Sequence, residues 1–240
     1  MRANHPWLKR VMKLGLFLMM GVSMSACSTT SWKEEVLLHD GSKIVVKRSQ
    51  TYGGRHEIGQ PPPIKEHTLT FAMPNTHKTV TWVSEYGEDL GRTNFNLLAV
   101  HILNDTPYIV ASPNLCLSYN KWGRPNPPYV FFKYDDSAWH RITLSEFPVE
   151  FKTINVVIST YGHGDVDRAV RSGFISVESV KKLNSAAKQP EYKTILREAV
   201  KGRNGISSTD CEEMIYYKGA WVGPGDSIGK RMMDSRSKSK

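Results

Sequence analysis

Long apolar runs, clustered cysteines and internal repeats are all missing from this chain of 240 residues. The longest mostly apolar stretch, Leu14 to Val22, is well short of the ~18 residues that a membrane-spanning helix needs, so no spanning helix is expected. The three cysteines, Cys27, Cys116 and Cys211, are too few for a disulfide-stapled miniprotein. Neither Cys116 nor Cys211 has a Cys or His at zinc-ligand spacing, so no metal or cofactor is expected. No regular period supports a repeat architecture. A broad basic face is missing too, despite a formal charge of +9. Four of the cations (Arg2, Lys9, Arg10, Lys13) sit in the first 13 residues, and the tail from Lys230 to Lys240 holds five against Asp234. The body between is left near neutral, which removes the main warrant for a nucleic-acid role.

What the chain does have begins at its start. A basic segment followed by about a dozen mostly apolar residues has the architecture of a secretory signal. The block Met24-Ser25-Ala26-Cys27 closes it and resembles a bacterial lipoprotein lipobox (aliphatic, small, small, Cys). That resemblance implies a signal peptide over residues 1–26, cleavage before Cys27, and acyl chains on its sulfur and amine. Ser28 in place of Asp implies sorting to the outer membrane, facing the periplasm. The competing reading is an ordinary secretory signal with an incidental cysteine. Several acyl chains, at about 0.8 kcal/mol per buried CH₂, exceed the threshold for stable anchoring. The segment 27–31 is Cys27 and a short linker: the four residues from Ser28 to Ser31, at ~3.5 Å each, reach about 14 Å.

Roughly 210 residues then remain, enough to build a core without metals or dense disulfides. With Cys27 acylated, Cys116 and Cys211 are left as one disulfide in an oxidising compartment; two free buried thiols are the alternative.

The body, residues 32–223, reads as a single β-rich domain. Asp40-Gly41 is a hairpin turn between Glu35–His39 and Lys43–Lys47. Leu69, Phe71 and Met73, then Val80 and Trp82, alternate at period 2. Phe95 to Leu103 is almost continuously apolar and suits a central strand covered on both faces. It turns through Asn104–Pro107 into Tyr108–Ala111. Tyr129–Tyr134 and Trp139–Ile142 form a further hairpin, and Ile154–Ser159 is β-branched enough for another strand. A helical insert follows over about 165–200: Asp165–Arg171 stopped by Gly173, a helix capped by Ser176 with Val177, Val180 and Leu183 on one face, and a third starting at Pro190 with Tyr192, Ile195 and Leu196 inward. Lys201 to Gly205 is a break. Met214–Tyr217 and Ala220–Val222 form a late hairpin on Lys218-Gly219, and residues 224–240 read as a basic flexible tail. The expected class is α+β, mostly antiparallel, as a sandwich or open barrel of hairpins.

Trp32-Lys-Glu-Glu-Val36, Tyr52-Gly-Gly-Arg-His-Glu-Ile-Gly59 and Tyr119-Asn-Lys-Trp-Gly-Arg-Pro-Asn-Pro-Pro-Tyr129 are similar to a family of uncharacterised proteobacterial envelope lipoproteins. The resemblance implies location and supplies no catalytic residues.

Candidate chemistry is sparse. Gly225-Asp-Ser-Ile-Gly229 matches G-x-S-x-G, but no His lies downstream, so a terminal turn is expected. Arg55, His56 and Glu57 on the loop 52–63, and His163 with Asp165 and Asp167, have the residue types of a general base or cation site. A periplasmic hydrolase using His56, Glu57 or His163 is therefore the alternative to a non-catalytic binding or structural module. The proline-stiffened loop 121–129 carries Trp122, Arg124 and Tyr129, residue types that anchor interfaces. Either it recognises an envelope protein or cell-wall partner, together with Arg55 and His56, or Trp122 plugs one end of the sandwich.

Overall fold

The computed structural model describes residues 28–76, 78–158, 163–200 and 210–238. The signal segment, Cys27 and the break at 201–205 lie outside the described residues.

Strands β1 (Thr29–Leu37), β2 (Lys43–Tyr52), β3 (Ile64–Ala72) and β4 (Thr79–Ser84) run as an antiparallel meander. A small hairpin, β5 (Tyr86–Gly87) and β6 (Arg92–Thr93), leads into β7 (Phe95–Leu103) and β8 (Thr106–Pro113). Helix α1 (Leu115–Lys121) and the loop after it deliver β9 (Val130–Asp135) and β10 (Ala138–Ile142). Later come α2 (His163–Arg171), β11 (Phe174–Ile175), α3 (Val177–Asn184), a 3₁₀ turn (Pro190–Tyr192), β12 (Ile215–Tyr217), β13 (Ala220–Val222) and α4 (Ser227–Lys238). The two main sheets are β11-β1-β2-β3-β4 and β10-β9-β8-β7. All pairings between the strands are antiparallel except β1 with β11. The expected α+β class is what forms, as two facing sheets with no closed barrel.

Alternation puts Val36, Ile44, Val46, Leu69, Phe71, Val80 and Trp82 of one sheet against Leu97, Val100, Ile102, Ile109 and Val130 of the other. The second face of the four-stranded sheet is covered by Phe147, Phe151, Ile158, Tyr192 and Ile195. β7 is therefore covered on both faces, as its apolar run requires. It is nonetheless the last strand of its sheet, and a bulge near Leu98 and Ala99 turns both toward the second core.

The two ends of the sandwich differ. At one, the strands reverse tightly. Gly41 takes φ +85°, and Asn104-Asp105 and Asp136-Ser137 take positive φ at both central positions, the backbone of two-residue type I′ turns. These turns touch: Asn75 Nδ2 donates to Asp105 Oδ1 at 2.7 Å, and Lys78 Nζ to Ser137 Oγ at 3.4 Å. At the other end lie the start of β1, the loop 53–63, the β5–β6 hairpin and the segment 114–129.

Ile154–Ser159 departs from expectation, because residues 154–158 form no strand. Side chains pair their backbone instead. Glu34 Oε2 accepts from Val157 N and Arg48 Nη1 donates to Val157 O; Asn184 accepts from Ile158 N and donates to Val156 O. Asn155 itself caps the free edge of β7, accepting from Val100 N at 3.0 Å and donating to Val100 O at 2.7 Å, and it reaches Leu37 O of β1 at 3.1 Å. Across the other edge Trp139 Nε1 donates to Thr81 O at 2.7 Å. α2 and α3 seal the flank with Trp32, Val157, Val166, Ile175 and Val180. Ser176 caps α3 as read from sequence, and Gly173 takes φ +78° after α2. The third expected helix is only the 3₁₀ turn, because its apolar residues are laid flat on the second core. The expected flexible tail is helical from Ser227 to Lys238. Asp226 fixes its start by accepting from Gly229 N at 2.8 Å, which is how the G-x-S-x-G match is used.

The Glu34–Arg48 pair, 2.8 Å apart with both side chains at most 1% exposed, is sealed between sheet and flank, and Trp32 Nε1 also donates to Glu34. Removing one partner of such a pair costs about 3–5 kcal/mol. Arg48→Met is expected to lose about that much in urea denaturation. Adding Glu34→Leu is expected to recover only part, because Val157 N and Trp32 Nε1 then lose their acceptor.

His67 and His101 are buried as well. Burial, with Arg48 adding to it, pushes His67 down to about 3, and neither ring nitrogen has a hydrogen-bond partner. Burial pushes His101 down to about 4, against the bond between its Nε2 and Thr153 O. Both are neutral when folded, while an unfolded histidine titrates near 6.5. Their contribution is thus complete above about pH 7 and falls with acidification through the window down to about 4 and 3. Each adds a slope of about 1.4 kcal/mol per pH unit. Denaturation midpoints measured from pH 7 to 5 should fall, and His101→Phe, which can keep the stacking on Phe151, should flatten that fall.

Candidate functional site

The end of the sandwich where the chain enters its first strand gathers every loop that sequence reading marked for recognition. Ser28 O accepts from Tyr52 N at 2.9 Å, so the entry point lies beside the loop 53–63. That loop docks on the β5–β6 turn: Arg55 N donates to Gly91 O at 3.0 Å. The approach demands glycine on both sides. A Cβ on Gly54 would fall 2.4 Å from Gly91 O, and one on Gly91 2.7 Å from Arg55 Cβ; both have positive φ.

The turn then holds the C-terminal part. Asp89 O accepts from Trp221 Nε1 at 3.2 Å, and the Asp89 carboxylate pairs with Lys121 Nζ at 2.6 Å. α1 is joined to the segment before β12 by a Cys116–Cys211 disulfide, with Cα atoms 5.3 Å apart. A cross-link enclosing so long a loop constrains the unfolded chain by up to about 4–5 kcal/mol on chain-entropy arguments.

The loop 121–129 is drawn into this joint. The Trp122 ring lies 4.5 Å from Phe95, its Nε1 donates to Asn94 Oδ1 at 3.3 Å, and the Arg141 guanidinium covers its other side. Trp122 therefore closes the end of the first core, the plugging alternative. Arg124 points at the chain itself: it donates to Cys211 O at 2.7 Å, Glu212 O at 3.1 Å and Asn120 Oδ1 at 2.9 Å, and lies over Tyr119. Tyr129 is 3% exposed, and its hydroxyl donates to Glu191 O or Thr194 O. Burial raises its phenol well above the usual range. Tyr129 is thus buried, while Trp122 and Arg124 are half-exposed, and the contacts of all three fasten the loop and the late segments to the sandwich.

Arg55 and His56 are exposed. His56 Nδ1 lies 2.9 Å from Gly54 O, and Glu57 accepts from Gln60 Nε2 at 3.2 Å, so the histidine and its neighbouring carboxylate engage different groups. Asp165 pairs with Arg168 on the surface of α2. The side chain of His163, with Tyr161 and Gly162, lies outside the described residues. Burial raises the Tyr52 phenol above its ordinary value, against a hydrogen bond with Thr30 that lowers it, and the charge of Asp167 adds to the rise. Among the described residues no group of three or more His, Cys, Asp or Glu is placed to hold a metal ion. A groove of about 210 Å³ beside α3, lined by Leu37, Asn155, Val177, Val180, Lys181 and Lys193, lies on the flank away from these loops.

Sequence reading missed α1 and the β5–β6 hairpin. Both are short, and neither carries a periodic apolar signal. The paired glycines Gly54 and Gly91 were the available sign that two loops touch.

Truncating Trp122 to Ala should cost roughly 3 kcal/mol, since it removes a ring from the end of a packed core. Thermal or urea denaturation checks this, and an unchanged midpoint would return Trp122 to the surface. Comparison of the chain with protein-family models, curated proteins and solved structures finds no match, so its functional reading rests on its own residues.

Proposed function

We propose that the chain is a lipid-anchored protein of the cell envelope, tethered through Cys27 to the outer membrane and facing the periplasm. It presents a non-catalytic binding or structural module to an envelope protein or cell-wall polymer close to the bilayer. The observation that carries this reading is the position of the first strand. β1 begins at Thr29, two residues after Cys27, so the free linker shortens from four residues to Ser28 alone. At ~3.5 Å for that residue, the loop end of the sandwich would stand directly over the lipid. The Cys116–Cys211 bond supports an oxidising compartment. The resemblance of Met24-Ser25-Ala26-Cys27 to a lipobox is in keeping with it. No observation among the described residues favours the hydrolase alternative.

Acylation is the test. Cells grown with a fatty-acid analogue should yield labelled protein in the membrane fraction, and Cys27→Ser should remove the label. A wild-type protein that is processed, soluble and unlabelled would overturn the proposal.

A further inference from the structure

The Cys116–Cys211 bond lies at the surface. Cys116 is exposed and Cys211 half-exposed, and Leu115 beside them is 61% exposed. Leu115 also takes φ +65°, a left-handed backbone that few non-glycine residues adopt. The two sulfurs differ in how they can be approached. From Asn114 to Asn120 the chain around Cys116 is uncharged, whereas Cys211 stands between Asp210 and the pair Glu212-Glu213. Those carboxylates repel an incoming thiolate, so the open route leads to Cys116. Disulfides that only hold a secreted fold together resist reduction, while exposed or strained ones are the labile, regulatory class.

What lies on either side of Cys211 is unequal. The elements between the two cysteines are packed into cores, with Phe131, Phe147, Phe151 and Ile195 on the second sheet face and Val166 and Val180 on the flank. Beyond Cys211 the chain has little to bury. Among residues 210–238 only Val222 is buried, and α4 has no buried residue. Beside the disulfide, polar bonds tie this part to α1 and to the β5–β6 turn. Asn120 Nδ2 donates to Glu212 O at 2.9 Å and its Oδ1 accepts from Met214 N at 3.0 Å. Arg124 holds Cys211 O and Glu212 O, and Trp221 reaches Asp89 O. A segment with so few buried apolar contacts opens at low free energy, and the covalent bond is what keeps it seated.

We infer that Cys116–Cys211 is a reducible latch, opened at Cys116 by a dithiol protein of the disulfide-exchange class, and that opening it frees the C-terminal hairpin and α4 while the sandwich stays folded. In the first step a thiolate of the partner attacks Cys116 Sγ, the S–S bond breaks, and Cys211 leaves as a thiolate that takes a proton from water. Arg124, bonded to Cys211 O, puts a cation beside the leaving group, which favours the thiolate. In the second step the partner's other thiol gives up its proton and attacks the partner's own sulfur in the mixed disulfide. Cys116 leaves and is protonated. The partner supplies two electrons and ends as a disulfide, and this chain ends with two thiols. Release would uncover Asp89, Asn120 and Arg124, so redox state would set which surface the loop end of the sandwich presents. The inference goes beyond the anchoring proposal and holds with Cys27 acylated or not.

The test is reduction of the purified full chain under native conditions. Dithiothreitol is added in steps, free thiols are alkylated and mapped by mass spectrometry, and amide hydrogen exchange is followed on the same samples. Cys116 and Cys211 should become alkylated while β1 to β10 keep their protection, and residues 212–222 should lose theirs. Cys116→Ser combined with Cys211→Ser should fold and show the same loss without reductant. Thioredoxin with its second cysteine changed to serine serves as the dithiol-class probe, and it should be trapped as a mixed disulfide on Cys116. A bond that opens only when the sandwich unfolds would overturn the inference, as would protection of 212–222 that survives alkylation. A double variant that cannot fold would do the same, since the bond would then belong to the stability of the sandwich itself. Trapping on Cys211 would overturn the assigned point of attack.

Discussion

A carboxylate and a guanidinium closed off from water hold the layers of this protein together. Glu34 and Arg48 stand on adjacent strands of one sheet, yet their polar atoms reach past the sheet to the N–H and C=O of Val157. Two charged side chains thereby do what a neighbouring strand would do. The cost of burying ions is several kcal/mol each, and it is met only when their remaining hydrogen bonds are satisfied. Trp32 and Val157 supply most of them, while Arg48 Nη2 stays without a partner. The pair is thus less a source of net stability than a constraint: the segment 154–158 can sit in one place only.

That constraint propagates. With Val157 fixed, Asn155 falls where it bonds both backbone groups of Val100, and Asn184 falls where it serves Val156 and Ile158. One irregular segment therefore closes the edge of β7, ties it to β1 and seats α3. Its amide side chains do the work that a further strand would do in a larger sheet, and they leave the edge of β7 around Val100 closed to edge-to-edge pairing.

This is also where the sequence was least legible. The antiparallel hairpins were readable because alternation and turn residues are local: Asp40-Gly41 and Lys218-Gly219 mark their turns, and Leu69, Phe71 and Met73 mark an inward face. Ile154 to Ser159 carries the same β-branched signature, but whether a ladder forms depends on what stands beside it, and here side chains from 34, 48 and 184 do. Tyr192, Ile195 and Leu196 were rightly placed inward but wrongly given a helix, since burial against a flat sheet face satisfies an apolar spacing without one. At the candidate site, residue type pointed to Trp122, Arg124 and Tyr129 as interface anchors. The same chemistry, large rings and a forked cation, serves equally to fasten a chain to itself.

The short distance between Cys27 and β1 has a mechanical side. In a chain tethered at Cys27, a force between the bilayer and the far turns would load β1 along its own axis. β1 is paired with β2 over its whole length, from Thr29 opposite Thr51 to Leu37 opposite Lys43. Those bonds would be sheared together instead of peeled one by one, and the Glu34–Arg48 pair lies across the same plane. Under the proposed anchoring, the strand nearest the lipid would be the one best placed to resist being drawn out, and a pull on the tether would move the sandwich as a body before it opened the fold.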